Sequence, residues 1–190
     1  MFKQFIKEIK KYDSIVIFGH ISPDGDCYGA QIGLREALRA TFPNKKVYAV
    51  GRGFKPGLDL YLPMDEVSNE TIANSLHIGV DFNNIARSED SRIGTGKELF
   101  MIDHHLKGEP FGSLRIIDND SISSAQIIAN LIMDQKLKLT KEGAAALYMG
   151  IVTDSGRFQF QPITSQTFKV CSWLVSFGFS LQELYDRLYV

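Results

Sequence analysis

The stretch Gly19-His20-Ile21-Ser22-Pro23-Asp24-Gly25-Asp26 constrains this chain more than any other. It follows the apolar run Ile15-Val16-Ile17-Phe18, whose length and β-branched content predict a buried parallel strand. Pro-Asp-Gly then ends the strand sharply. One imidazole and two carboxylates are thereby set in a tight loop at the carboxyl end of a strand, the edge where open α/β sheets bind their ligands. The same pattern recurs three times. Asp81 follows Ile78-Gly79-Val80, Asp103-His104-His105 follows Leu99-Phe100-Met101-Ile102, and Asp154 follows Met149-Gly150-Ile151-Val152-Thr153. Such a rim of Asp and His calls for divalent metal.

The rest of the pattern supplies a sheet for that rim. Phe2, Phe5, Ile6 and Ile9 recur at helical spacing over residues 2–11. A strand over 15–19 follows, and then a helix over Gly29–Leu38 with small residues near its start. Further strands are expected at 46–50, 76–80, 99–102 and 114–117. Residues 51–70 read as loop with room for one short helix, and 83–97 as a polar connection. Ser123-Ser124 predicts the start of a helix over 125–134, Thr140 caps another running to about Ile151, and two more close the chain at about 165–177 and 180–189. Strands alternating with helices predict an α/β domain: a mostly parallel sheet with helices on both faces and a metal site at the carboxyl ends of the strands. At 190 residues the chain holds one such domain with a real core.

Composition excludes some partners. The formal net charge of −1 offers no basic footprint for duplex DNA. No apolar run reaches membrane-spanning length, and the first residues read as an amphipathic helix rather than a signal peptide. Cys27 and Cys171 form neither a metal spacing nor a disulfide framework, so a reducing, cytoplasmic setting is expected.

Five carboxylates on one rim would repel each other and raise their own pKa values unless cations sat among them. Oxygen ligands mixed with a few imidazoles, and no thiolate, suit Mn²⁺ better than a structural zinc, with Mg²⁺ or Co²⁺ as substitutes. Two ions about 3.5–4 Å apart can clamp the oxygens of a phosphoryl group in line. His77, inside a strand, reads as structural.

Four motifs, taken in order, resemble those of the DHH phosphoesterases: Gly19–Asp26, Val80-Asp81, Ile102-Asp103-His104-His105, and Gly150-Ile151-Val152-Thr153-Asp154-Ser155-Gly156-Arg157-Phe158. The resemblance covers nearly the whole chain. The fourth motif is most similar to the bacterial branch that degrades very short oligoribonucleotides and 3′-phosphoadenosine 5′-phosphate, and relatives cleaving linear or cyclic dinucleotides share it. The resemblance implies one metal on His20, Asp24 and Asp81, and a second on Asp26, Asp81, His104 and Asp154. It further implies that Asp103 orients His104, and that His105 faces the substrate phosphate. Departures from the family pattern are Cys27 in place of the usual Ala, Gly29-Ala30 in place of Gly-Ser, and Phe82-Asn83-Asn84 after the bridging Asp. The family's smaller second lobe, with its glycine-rich substrate motif, has no match after Asp154, so residues 1–190 are read as the catalytic lobe alone.

The expected activity is hydrolysis of phosphodiester or phosphomonoester bonds in short nucleotides, with a homodimer compatible with the sequence. The rivals are a pyrophosphatase or exopolyphosphatase with the same metal core, and a non-catalytic nucleotide-binding module. Arg92 and Arg157 could pair with phosphate oxygens, a reading set evenly against solvated surface arginines. Ser123-Ser124 could bind an anion through free N–H groups, although capping alone accounts for them, and Lys107-Gly108 reads as a surface loop.

Overall fold

The computed structural model describes residues 1–54 and 62–189. Its elements run α1 (Phe2–Ile9), β1 (Ser14–Phe18), α2 (Gly25–Thr41), β2 (Lys46–Val50), α3 (Asn69–Ala73), β3 (Leu76–Val80), β4 (Glu98–Asp103), β5 (Leu114–Ile117), α4 (Ser124–Asp134), α5 (Lys141–Asp154), α6 (Ser165–Val175) and α7 (Leu181–Tyr189). The expected short helix in the 51–70 connection is α3, which begins just before that segment ends; residues 55–61 of the connection lie outside the described residues.

All four strand pairings are parallel, in the order β2-β1-β3-β4-β5. The order reverses between β1 and β3, and the loops leaving those two strands therefore splay apart. This is the crevice at which doubly wound sheets bind ligands. His20 and Asp81 stand on its two sides, immediately beyond Phe18-Gly19 and Val80.

Side chains alternate across the sheet as the pleat requires. Ile15 and Ile17 join the larger core with Phe5, Leu34, Ile78, Ile102 and Leu147, beneath α1, α2, α4, α5 and α6. Val16 and Phe18 point the other way, to a smaller core with Ile72 of α3, Phe82 and Ile93. Both faces are covered, one by long helices and the other by α3 and the 82–97 connection. His77 is buried on this second side as a structural residue. Its Nδ1 accepts the Gly94 N–H at 3.0 Å and its Nε2 lies 2.9 Å from the Ile72 carbonyl, which fixes a neutral ring.

Two elements differ from the sequence reading. Asp154 does not follow a strand: Met149–Thr153 is the last turn of α5. A short apolar run reads alike as buried strand or buried helix, and here the Thr140 hydroxyl, which accepts the Gly143 N–H, had already started a helix. Second, α2 begins at Gly25 rather than Gly29, because Asp24 itself is the cap. The metal-loop motif and the helix start are one object.

Candidate metal centre

Each candidate ligand is fixed by the element that delivers it. Asp24 divides its carboxylate. One oxygen accepts the N–H groups of Asp26 and Cys27, both at 3.0 Å, as the N-cap of α2. The other lies 3.8 Å from His20 Nε2. His20 Nδ1 is 2.9 Å from the Ile21 carbonyl, an obligate acceptor, so the proton sits on Nδ1 and the Nε2 lone pair faces the centre.

Asp26 is buried in the first turn of α2, and its two oxygens accept the backbone N–H groups of Ser124 and Ala125 at 2.7 and 2.9 Å. Ser123 meanwhile caps α4, its hydroxyl accepting from Gln126. The helix start at Ser123-Ser124 thus caps and also binds an anion, and that anion is the chain's own Asp26 carboxylate. Ser124 Oγ reaches Asp81 as well, at 3.0 Å. Asp81 takes a left-handed backbone with φ of +67°, a conformation unfavourable for a residue with a Cβ and concentrated at functional sites.

These residues converge. His20 Nε2 lies 3.4 Å from Asp81, and His104 Nε2 lies 3.5 Å from Asp81, 3.4 Å from Asp154 and 3.9 Å from Asp26. Such separations are too long for good hydrogen bonds. They match two ligands on one ion, since bonds of about 2.0–2.2 Å at tetrahedral to octahedral angles hold donor atoms about 3–4 Å apart. Two groups of contacts share Asp81, one joining His20 to Asp24 and Asp81 and the other joining His104 to Asp26, Asp81 and Asp154. Cys27 Sγ also lies within 4.8 Å of ligand atoms of His20 and Asp81, and a ring nitrogen of His105 within 4.8 Å of those of Asp81 and His104.

The electrostatics agree with the donor set. Burial, then the neighbouring carboxylates of Asp81 and Asp154, hold Asp26 well above the usual carboxylate range, although the two α4 N–H groups pull it down. Burial, then Asp24 and Asp154, raise Asp81. Burial, then Asp24, push Asp154 up to about 6. Burial, and then His105, hold the His104 ring neutral. Buried carboxylates that raise one another, with the His104 ring held neutral among them, lack positive charge, which divalent cations would supply.

The Asp-His-His run divides its work differently from the expectation. Asp103 Oδ1 lies 2.7 Å from His105 Nδ1, so this carboxylate orients His105, not His104. That bond, outweighing burial, raises the His105 pKa. His105 remains 41% exposed along its side chain, facing outward beside the two groups.

Several residues play parts that the sequence did not disclose. Asn119 Nδ2 donates to the carbonyls of His104 and His105, at 3.0 and 2.7 Å, and clamps their turn. Asn83, in the unusual segment after Asp81, holds the Lys107–Glu109 loop through its side-chain amide and its carbonyl. Cys27 Sγ accepts the His20 N–H at 3.2 Å and lies beside His20 and Asp81, behind the first group. Neither candidate arginine is directed at the centre. Arg92 spends its guanidinium on Asp90, Asn69 and the Val67 carbonyl, and Arg157 lies 5.1 Å above the Tyr189 ring.

Residues 14–151 match the profile of the DHH family, N-terminal domain. The chain belongs to the DHH family. Over 189 residues this DHH chain is 39% identical to the bifunctional oligoribonuclease and PAP phosphatase NrnA of Bacillus subtilis, covering 98% of itself and 60% of that protein. The protein of the same name from Thermus thermophilus is 34% identical over 177 residues, which is 92% of this chain and 53% of the relative. Among solved structures, an exopolyphosphatase-related protein from Bacteroides fragilis superposes with a TM-score of 0.87 at 26% identity, over 99% of this chain and 59% of that one. The chain therefore spans roughly three fifths of the relatives it matches.

Proposed function

We propose that this chain is the catalytic lobe of a dinuclear, metal-dependent phosphohydrolase acting on short nucleotides. The observation that carries the reading is the shared carboxylate, Asp81, with imidazole nitrogens of His20 and His104 at 3.4 and 3.5 Å on its two sides. In this reading His20, Asp24 and Asp81 hold one ion, and Asp26, Asp81, His104 and Asp154 hold the other. Mn²⁺ suits this oxygen-rich, thiolate-free set. The ions would supply Lewis-acid stabilisation of phosphoryl oxygens and acidify water.

The chain's own residues do the rest. His105, its ring fixed by Asp103, presents Nε2 to the open side, where a proton on it would neutralise charge developing on the phosphoryl oxygens. The α4 N–H groups and Ser124 favour the ionised forms of Asp26 and Asp81, against their burial, and keep both carboxyls aimed. The names of the NrnA relatives point to oligoribonucleotides and 3′-phosphoadenosine 5′-phosphate as substrates. A cytoplasmic setting belongs to the same proposal, supported by two buried free cysteines.

A second reading, exopolyphosphatase, is favoured by the Bacteroides fragilis likeness. One substrate panel separates them. With Mn²⁺, hydrolysis of a diadenylate and of 3′-phosphoadenosine 5′-phosphate is expected to exceed that of tripolyphosphate and pyrophosphate, and a chelator abolishes all four. Preference for tripolyphosphate would select the second reading, and turnover that survives chelation would overturn both.

A further inference from the structure

The turn after α5 is built against the backbone's own preference. Gly156, Arg157 and Phe158 take φ values of +56°, +61° and +66°, and two of the three carry a Cβ. Left-handed backbone is unfavourable for L-residues and occurs singly rather than in runs, so the surroundings must hold this one. Arg157 N–H donates to the Val152 carbonyl at 2.8 Å, and Gln159 and Phe160 N–H groups donate to the Ser155 carbonyl at 2.9 and 3.0 Å. The buried Ser155 hydroxyl accepts the Phe158 N–H at 3.0 Å.

The reversal sends two aromatic rings in opposite directions. Phe158 packs inward between Tyr148 and Phe168, with ring centroids 6.4 and 5.4 Å away. Phe160 is left 60% exposed. Its ring rests on the bare backbone of Gly156, where a Cβ would fall 2.4 Å from the ring. The strained turn thus holds one ring as an anchor and presents the other to the outside.

Phe160 lines a cleft of about 340 Å³ together with His104, His105, Leu106, Asn119 and Asp154. His104 and Asp154 belong to the candidate metal centre and His105 stands beside it, so the cleft opens directly from the place where a phosphate would react. Its lining is largely apolar, and Leu106, 81% exposed, contributes to it along with Phe160. Small-molecule clefts run from about 300 to 1,000 Å³. This one lies at the small end of that range, the size of a site for a single nucleoside.

We propose that Phe160 is a specificity-determining residue, a platform on which the nucleobase next to the reacting phosphate stacks. The proposal rests on the nucleotide reading above. Every base offers a π-face, so stacking favours a nucleotide over a bare sugar phosphate while discriminating little among bases. A lipid chain or an apolar peptide would leave the imidazole and carboxylate end of the cleft without a partner, whereas a nucleotide fills both ends with matching chemistry.

The test compares adenosine 3′,5′-bisphosphate with ribose 3,5-bisphosphate, its counterpart lacking the base, on the full chain with Mn²⁺. Phe160→Ala is expected to lower the preference for the nucleotide in kcat/KM by about 5- to 150-fold, mainly through KM, the range that base stacking carries. Phe160→Tyr should restore it. An equal preference in wild type and Phe160→Ala overturns the proposal. Phe160→Trp gives a second readout against the chain's single tryptophan, Trp173, whose signal is subtracted using wild type. On the metal-loaded protein, AMP is expected to quench the new indole and ribose 5-phosphate to leave it bright. An indole already shifted to the blue and indifferent to AMP would mean that protein covers the ring, which also overturns the proposal. If wild type hydrolyses neither bisphosphate the nucleotide-hydrolase reading fails, and the AMP titration still decides the stacking.

Discussion

At the scale of single residues, several side chains of the candidate centre have one end fixed by a partner and the other turned toward their neighbours in the centre. Asp24 caps with one oxygen, His20 is held through Nδ1, and His105 is held by Asp103. Asp81 is the shared member, so Asp81→Ala is expected to lower metal content from about two Mn²⁺ per chain to less than one; metal analysis after desalting checks this. His105→Ala should retain both ions while turnover falls about 10²–10³-fold, the scale of a lost transition-state donor. His104→Ala should instead lose an ion, and identical behaviour of the two variants would refute the division of roles. The convergence of these residues was legible in the sequence, because their types and their order at the ends of elements marked them. The partner of Asp103 was not, because adjacent histidines differ in direction and only the fold tells them apart. The same carboxylates set a pH dependence. Asp154 titrates at about 6 in the metal-free fold, against about 3.9 unfolded, and Asp26, Asp81 and His105 are shifted upward too. The folded state then holds more protons than the unfolded one, so metal-free stability falls as pH rises from about 4 through 6. His104, shifted down, opposes this singly. The metal-free protein should melt higher at pH 5 than at pH 7.5, and saturating Mn²⁺ should reverse that order, because binding displaces the protons. Thermal melts at the two pH values decide it.

Elements matter here through how closely they approach. Helix α5 brings Asp154 to the centre, and Gly150, one turn earlier, lets it touch α4 and the start of α2. A Cβ on Gly150 would fall 2.7 Å from Ala125 Cβ and 2.9 Å from Asp26 Oδ1. Gly150→Ala is therefore expected to cost about 1–3 kcal/mol through overpacking, seen as a lower Tm. It should also weaken metal binding, since the groups that would move are Asp26 itself and Ala125, whose N–H holds it. A melt and metal affinity equal to wild type would show that the helices shift apart freely. The strands and most helices were legible from periodicity and caps. The last turn of α5 was not, since Met149–Val152 has the apolar run of a strand and its helical state is fixed upstream by Thr140 and by packing on α2. The function of Ser124 was likewise hidden, for a helix start carries no mark saying which anion it meets.

The whole molecule gathers three loops, one helix start and one helix end onto a single sheet edge. His20 and Asp24 leave β1, Asp26 opens α2, Asp81 leaves β3, His104 leaves β4, and Asp154 ends α5. That edge is the switch point of the strand order, and the order itself cannot be read from the chain, since local pattern fixes strands but not their neighbours. Ions shared across it would join segments that otherwise repel. Because they bind the folded state alone, their contribution grows with concentration, about 2.7 kcal/mol at one hundred times Kd for one site. For a chain of this length each kcal/mol moves Tm by about 2–4 °C. Mn²⁺ at that excess is therefore expected to raise Tm by about 5–11 °C per site above the chelator-treated protein. Asp81→Ala should abolish most of the increment by emptying both groups together. Asp154→Ala, which touches only the second group, should remove about half. Calorimetric melts of the three proteins, with Mn²⁺ and with chelator, measure it. Equal increments in wild type and Asp81→Ala would place the ions elsewhere on the molecule.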